Sequence, residues 1–400
     1  MTNERVFADA KTDYYDIIIN MKTGTKNYIR GVGMMVGTII GVGIFGVPYV
    51  LAQSGIIVGL FYFALLGTIL TLNHLLFGEM LLRVKGKHHL AGLAGHFGNR
   101  SWEYFALLVT TFSFYGALIA YIILGGKFLE IVLTPFFGQG LFIYQMIFFS
   151  FMSFFVLVGV RLVAFSELFM SFLLLAVMAV IVGFGIPKIN IANFFTFNLN
   201  QAFLPYGVIL FSLAGAAAIP EMVEIMPREK KKLKSAIIVG TLIPLFLTLI
   251  FSLVVVGITG ANTVQDAVEG LRASVGDWIV YLGAIFGLFA VATSFLAMAL
   301  YLREQFWYDL KINKYISWLL ACVIPLLIFL FGTRNFIQVV GFTGAVFSGL
   351  EGILIIWIYR LARKKGTREP EYKMRLPFAV LAIMMLVFIL GIVYEVLSTI

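Results

Sequence analysis

The chain reads as an all-α integral membrane protein of eleven transmembrane helices, built as two five-helix repeats of opposite orientation with helices one and six broken. Three observations predict this. Hydrophobic residues make up 61% of the sequence and charged residues 12%, where soluble domains carry about 25% charged, and the mean hydropathy is +1.00. Apolar runs long enough to cross ~30 Å of hydrocarbon recur along nearly the whole length, separated by short polar breaks. The first of them is interrupted by glycine and closed by Pro48, and the sixth repeats the interruption.

The first apolar run, 28 to 53, follows a mixed polar tail and is too long for a signal-peptide core, so it is read as a retained span. Gly33, Gly37 and Gly41 stand at small-xxx-small spacing, which would suit a helix-packing groove. Gly43, Gly46 and Pro48 spoil that stripe. Unsatisfied peptide groups cost several kcal/mol in hydrocarbon, so broken main chain at mid-depth survives only where it lines a polar cavity or holds a ligand.

Span two covers 55 to 82 and span three 102 to 133. Between them, Gly86, Gly92, Gly95 and Gly98 lie among basic and histidine residues, and an amphipathic segment or hairpin against the bundle is expected. Spans four and five follow at 140 to 160 and 162 to 186. Span six, 203 to 225, holds the small-residue stretch Gly215-Ala216-Ala217-Ala218 between Pro205 and Pro220. Spans one and six are five apart, and an odd offset reverses direction, so the interruptions occupy matching positions in inverted halves. Spans seven to eleven are 235 to 259, 275 to 302, 315 to 333, 335 to 359 and 376 to 398. Repeat one is thus about 28 to 186, repeat two about 203 to 359, and 376 to 398 is an extra helix. Residues 1 to 27 are expected to be a cytoplasmic tail, with Asp13-Tyr14-Tyr15-Asp16 a candidate for docking on the inner face. Residues 260 to 274 are expected outside, where they could supply a lid.

Basic residues test this layout. With the N-terminus inside, all but four of the 29 Lys and Arg residues fall on inner segments, the exceptions being Lys127, Lys188, Arg272 and Arg334. That bias predicts a cytoplasmic N-terminus, an outside C-terminus and a plasma-membrane setting. It also accounts for the net charge of +9 without nucleic acid.

Other chemistries find no motif. Cys322 is the single cysteine, which excludes disulfides and cysteine metal clusters. His74, His88, His89 and His96 show no HExxH or comparable ligand spacing, and with three in the loop after span two, solvated loop residues are expected. Neither a GxSxG elbow nor a P-loop lysine is present, which argues against a hydrolase or an ATP-driven pump. No enzyme activity and no cofactor are expected, and transport would draw on an ion gradient.

A break in an outward-running span presents a helix C-terminus from one half and an N-terminus from the other. The first suits a cation and the second an anion. Amides near Gly41, Val42 and Gly43 could hold a carboxylate, since glycine puts no side chain between backbone and ligand. In span eight, Ala290, Thr293 and Ser294 share one helical face. Their two hydroxyls and one carbonyl, with the carbonyls of Gly37 and Ile40, would make a five-oxygen cage for sodium. The alternative is that these hydroxyls only bond their own helix at i−4.

The run Gly37-Thr38-Ile39-Ile40-Gly41-Val42-Gly43-Ile44-Phe45-Gly46-Val47-Pro48-Tyr49 resembles the first helix of the amino acid/auxin permease and hydroxy/aromatic amino acid permease families. Ala290-Val291-Ala292-Thr293-Ser294-Phe295-Leu296 resembles their eighth helix. Span six and Gly341-Phe342-Thr343-Gly344-Ala345-Val346 in span ten are similar too. These families belong to the amino acid–polyamine–organocation superfamily, whose five-plus-five inverted repeat is the LeuT/APC-type fold. The resemblance implies a substrate carboxylate at Gly41 and Gly43, and a substrate amino group at carbonyls of both broken helices, in span six from Phe211, Ser212 and Ala214. It implies a sodium position at Gly37, Ile40, Ala290, Thr293 and Ser294. Proton-driven relatives can replace that ion with a lysine in helix five. Residues 162 to 186 hold none, which favours Na+ and leaves H+ open.

No charge falls near the centres of spans one, three, six and eight, so a neutral amino acid is implied. The small side chains from Gly215 to Ala218 leave room for a large apolar or aromatic group, with Tyr115 and Tyr121 as candidate walls. Glu221 and Glu224, with Glu79 and Glu167, are candidates for an inner gate with Arg83, Arg161 or Arg228 or for helix-end anchoring, and Glu221 alternatively for a proton relay. Glu351, deeper in span ten, has no evident partner. The expected function is symport of a neutral L-amino acid by alternating access, with a non-transporting amino-acid sensor as the different-class alternative. The lipid bilayer and the small-molecule substrate are the partners expected.

Overall fold

Residues 24–159, 173 and 176–399 are described in the computed structural model, and among them there is no β-strand. The expected N-terminal tail and the start of span five, with Arg161 and Glu167, lie largely outside these residues. Span one is the pair α1 (Gly24–Ile39) and α2 (Gly43–Ser54), bent by 55° across the break. Next come α3 (Ile56–Leu82), the short α4 (Leu90–Phe97) in the expected inter-span segment, α5 (Arg100–Phe137) and α6 (Leu141–Val158). Helix α7 (Ala176–Lys188) falls in the expected span five. Span six divides into α8 (Leu204–Ser212) and α9 (Ile219–Ile225), and span seven is α10 (Leu233–Thr259). A one-turn α11 (Arg272–Val275) precedes α12 (Asp277–Glu304), and α13 (Lys314–Phe331) is span nine. Span ten joins α14 (Phe336–Phe342) to α15 (Gly349–Lys365) through the π-helical segment Thr343–Ser348, and α16 (Phe378–Thr399) ends the chain's described part.

Local chemistry fixes many of these ends. The side chains of Asn99, Asn313 and Asn335 accept from Trp102 N (3.1 Å), Tyr315 N (2.9 Å) and Gln338 N (3.1 Å), satisfying N–H groups that a helix start leaves open. Buried Arg303 of α12 donates to the Val156 and Leu157 carbonyls at the C-terminus of α6, where a helix end favours a cation. Gly55, between α2 and α3, has φ +100°, and a methyl there would lie 2.3 Å from the Thr196 carbonyl oxygen. A side chain is excluded on both grounds.

The helices pack so that α5 runs along α12 and α6, while α10 lies against α3 and α2, and α8 is held between α2 and the π segment of span ten. Contacts there are main chain to main chain. A methyl on Gly207 would lie 2.1 Å from the Gly341 oxygen, and one on Gly344 would lie 1.9 Å from the Gly207 oxygen. Small residues permit such approach where lipid gives no hydrophobic drive to helix association.

Two differences from the sequence reading concern span lengths and span ten. Span three runs four residues beyond its expected end, through Thr134-Pro135-Phe136-Phe137, and span ten six residues beyond, where Arg360, Arg363, Lys364 and Lys365 carry the helix past the hydrocarbon slab. The π segment carries no compositional signal, and it alters the helix register before Ser348 and Glu351. Glu79, a candidate for gating or helix-end anchoring, fastens the C-terminal end of α3. It pairs with Arg83 at 2.6 Å and accepts from the Met374 N–H, and Tyr372 donates to the Leu75 oxygen at 2.7 Å, tying the connector before α16 to α3.

The connection from α10 to α12 is packed rather than loose: Ala267, Val268 and Leu271 are fully buried. Lys127, within α5, bonds Glu269 at 2.8 Å and pairs with Glu130 at 3.5 Å. Asp266 accepts from the N–H groups of Val268 (3.0 Å) and Glu269 (2.8 Å). Burial raises its carboxyl above the usual range, with Lys127 and these two N–H groups pulling the other way.

Candidate functional site

Helix α1 ends because its last turn closes on itself: Ile40 N–H donates to Val36 O at 2.9 Å and Gly41 N–H to Ile39 O at 3.0 Å. Helix α2 begins with Ile44 N–H to Gly41 O at 3.4 Å and Phe45 N–H to Val42 O at 3.2 Å. These bonds use the Val36, Ile39, Gly41 and Val42 carbonyls, and none uses Gly37, Thr38 or Ile40. The break therefore sets helix-end carbonyls against helix-start amides. In span six, Leu213 N–H donates to Ile209 O (3.1 Å) and Ala214 N–H to Phe211 O (3.2 Å), and Ala218 N–H closes on Gly215 O (3.1 Å) to restart the helix.

Between the two breaks lies a cavity of about 610 Å³, within the range typical of small-molecule sites. It runs from Gly41, Val42, Gly43, Ser212 and Ala214 toward the end of the bundle that carries α4, where Arg30, His89, Ile225 and Tyr301 line it. At the breaks the wall is small and neutral, with Gly215 to Ala218 on one side and Tyr121 and Phe211 on others. On the far side the two breaks touch. A methyl on Gly43 would lie 2.7 Å from the Ser212 Cα, and Phe45 stacks edge-on against Phe128 of α5 at 5.0 Å. Gly41 is different, since a methyl there would meet only the Tyr121 hydroxyl, at 3.6 Å.

Of the residues proposed from sequence, the structure brings Gly41, Val42, Gly43, Tyr121, Phe211, Ser212, Ala214 and Gly215 to this wall. Ile40 lies between lining residues but buries its side chain. Tyr115 lies off the wall and donates its hydroxyl to the Leu320 oxygen of α13 at 2.8 Å. The lining residues of α5 are Thr110, Ser113, Phe114, Ala117 and Tyr121, a stripe of helical spacing that excludes position 115. Of the cage residues, Gly37 and Ser294 line the cavity while Ala290 and Thr293 do not. The Thr293 hydroxyl bonds the Ala290 oxygen at 3.0 Å and the Phe289 oxygen at 3.1 Å. Glu221 lines the cavity, whereas Glu224 is ion-paired with Lys87 beside α4.

Two residues gain a place that sequence did not give them. Glu351 lines the cavity together with Ser348. A methyl on Gly344 would lie 2.8 Å from Phe211 N, so Glu351, seven residues on, sits about 10 Å further toward the α4 end. His74 of α3 is buried, and its Nε2 accepts the Gly215 N–H of the span-six break at 3.3 Å. A lone histidine in an apolar run gives no signal of this.

A multi-pass helical bundle with two interrupted spans facing one cavity is the architecture of the LeuT/APC-type fold. A solved structure, that of MhsT in complex with L-phenylalanine, superposes with a TM-score of 0.61 over 92% of this chain and 98% of that one, at 15% identity. The tryptophan/tyrosine permease family matches residues 24–397, and the chain belongs to that family. Curated relatives include Glutamine transporter 2 of Aliivibrio fischeri, 26% identical over 83% of this chain and 88% of the relative. Another is Tyrosine-specific transport system 1 of Haemophilus influenzae, 25% identical over 84% of this chain and 88% of the relative. The protein is a membrane transporter of the amino acid permease class and not an enzyme.

Proposed function

We propose that the protein imports a neutral L-amino acid, large and apolar or aromatic, by symport with Na+ across the plasma membrane. The observation that carries this is the cavity where main chain from both breaks meets small, neutral side chains. Amides at Val42 and Gly43, beside the side-chain-free Gly41, offer an anion site for the substrate carboxylate, and carbonyls at Phe211, Ser212 and Ala214 offer a cation site for its ammonium group. The charged lining residues Arg30, Glu221 and Glu351 all lie on the α4 side of the breaks, away from where a side chain would rest. The relatives named for glutamine and tyrosine, and the phenylalanine complex, all concern neutral side chains.

The bias of basic residues makes the α4 end cytoplasmic, with the C-terminus outside. The cavity then faces inward, and uptake requires spans one, two, six and seven to rock against three, four, eight and nine. Ser294, Gly37 and the neighbouring carbonyls support a sodium position beside the first break. Glu351 favours a second reading, with H+ as the coupling ion. It has no hydrogen-bond or ion-pair partner among the described residues, and an ionised carboxylate so placed is costly unless it takes a cation or a proton.

Purified protein in liposomes, given a panel of labelled amino acids under imposed sodium or proton gradients, tests this. Sodium-driven accumulation of aromatic or large neutral amino acids is expected. Proton-driven, sodium-independent uptake would replace the cation assignment, and binding without uptake would favour the sensor.

A further inference from the structure

We infer that His74 is a positioning residue that holds the broken main chain of span six in its ligand-receiving shape. The inference rests on the reading that this break receives the substrate. Gly215 N–H can only donate, so Nε2 of His74 carries the lone pair, and Nδ1 carries the proton. That proton points at the Thr241 hydroxyl of α10, 3.2 Å away, and Thr241 in turn donates to the Ile237 oxygen at 2.8 Å. Each donor in the chain from Gly215 to Ile237 thus has one acceptor, and the imidazole is in a single neutral tautomer.

The surroundings leave little slack. His74 and Thr241 are 1% and 0% exposed, so no water replaces a lost partner without a cavity for it. One turn further along α3, a methyl on Gly78 would lie 2.6 Å from Ile237 and 3.6 Å from Ile219, so α9 and α10 both press onto this face. On the other side, a methyl on Gly215 would lie 2.5 Å from Ile39 of α1. The break is therefore gripped by side-chain packing from α1 and by a hydrogen bond from α3. Only the hydrogen bond sets the direction of a peptide plane. Gly215 follows Ala214 directly, so the plane that His74 fixes is the one that carries the Ala214 carbonyl, an oxygen assigned to the substrate ammonium. His74 itself does not line the cavity, and it acts through that peptide.

Full-length protein in liposomes is compared as wild type, His74→Leu, His74→Gln and Thr241→Val. Two measurements are made: amide hydrogen exchange of the peptide spanning Phe211 to Ala218, and KM and kcat for the best amino acid of the uptake panel. His74→Leu is expected to raise exchange of that peptide and to raise KM about tenfold, as expected for a buried amide left without its acceptor. kcat should change less. His74→Gln, whose amide oxygen reaches the Nε2 position, should recover most of both, and Thr241→Val should show a smaller effect of the same kind. The Thr241 variant keeps the test decisive if His74→Leu does not fold. Unchanged exchange in the histidine and threonine variants overturns the inference. Raised exchange with unchanged KM overturns it as well and removes the ammonium site from this break. Because exchange needs no transport, it reads the clamp even where uptake fails.

Discussion

Gly41 and Gly43 stand two residues apart in the first break, yet the structure assigns their missing side chains to different causes. At Gly43 a methyl would be 2.7 Å from the Ser212 Cα and 2.9 Å from its Cβ, so Gly43→Ala forces two main chains apart. Overpacking of that kind costs about 1–3 kcal/mol. The expected result is a clear fall in the midpoint of thermal unfolding in detergent. At Gly41 the nearest atom is the Tyr121 hydroxyl at 3.6 Å, beyond which lies the cavity, so Gly41→Leu leaves packing intact and fills the carboxylate position. A charged hydrogen bond is worth about 1.5–3 kcal/mol, which corresponds to roughly a 10- to 100-fold rise in Kd. Isothermal titration with the transported amino acid measures it, beside thermal unfolding of both variants. A Gly41→Leu protein that binds normally would refute the carboxylate placement. A stable Gly43→Ala protein would refute the contact between the two breaks.

The paired variant Thr293→Ala with Ser294→Ala is expected to weaken sodium activation of uptake, and normal sodium activation would remove the cation cage. Tyr115→Phe should lower stability by about 1 kcal/mol through loss of the bond to Leu320 and leave KM unchanged, whereas Tyr121→Phe should shift KM; the reverse pattern would exchange their assignments. Asp266 keeps its proton to higher pH when folded than when unfolded, so its share of stability is fully present below its ordinary pKa of 3.8 and is lost as pH rises through the raised folded value. Asp266→Asn retains an acceptor oxygen for Val268 and Glu269, and should flatten that part of the unfolding profile measured against pH; an unchanged slope would show that another group carries it.

The first break was legible in sequence because several glycines and a proline in one apolar run conflict with an ordinary helix, and its partner in span six was legible by symmetry. The choice between Tyr115 and Tyr121 was not. An α-helix that is apolar all round has no polar face to orient it, so only the packed bundle shows which stripe of α5 borders the cavity. Thr293 shows the same limit, since a hydroxyl on a membrane helix can serve a ligand or its own main chain with equal ease. Glu351 was visible as a charge in an apolar run, but the π-helical turn before it has no residue signature, so where its side chain stood could not be read. His74 left no trace because its partner at Gly215 is a peptide N–H, a group every residue but proline has.

The close approach of Gly207 to Gly341 and Gly344 sets the terms on which the cavity could ever open the other way. The contact is main chain against main chain, so no rotamer flip alone can unlatch it. Separation would need whole backbones to move apart at once, and a seal of that kind gives water and ions no side-chain ladder to leak along. A transporter closed in this manner leaks little.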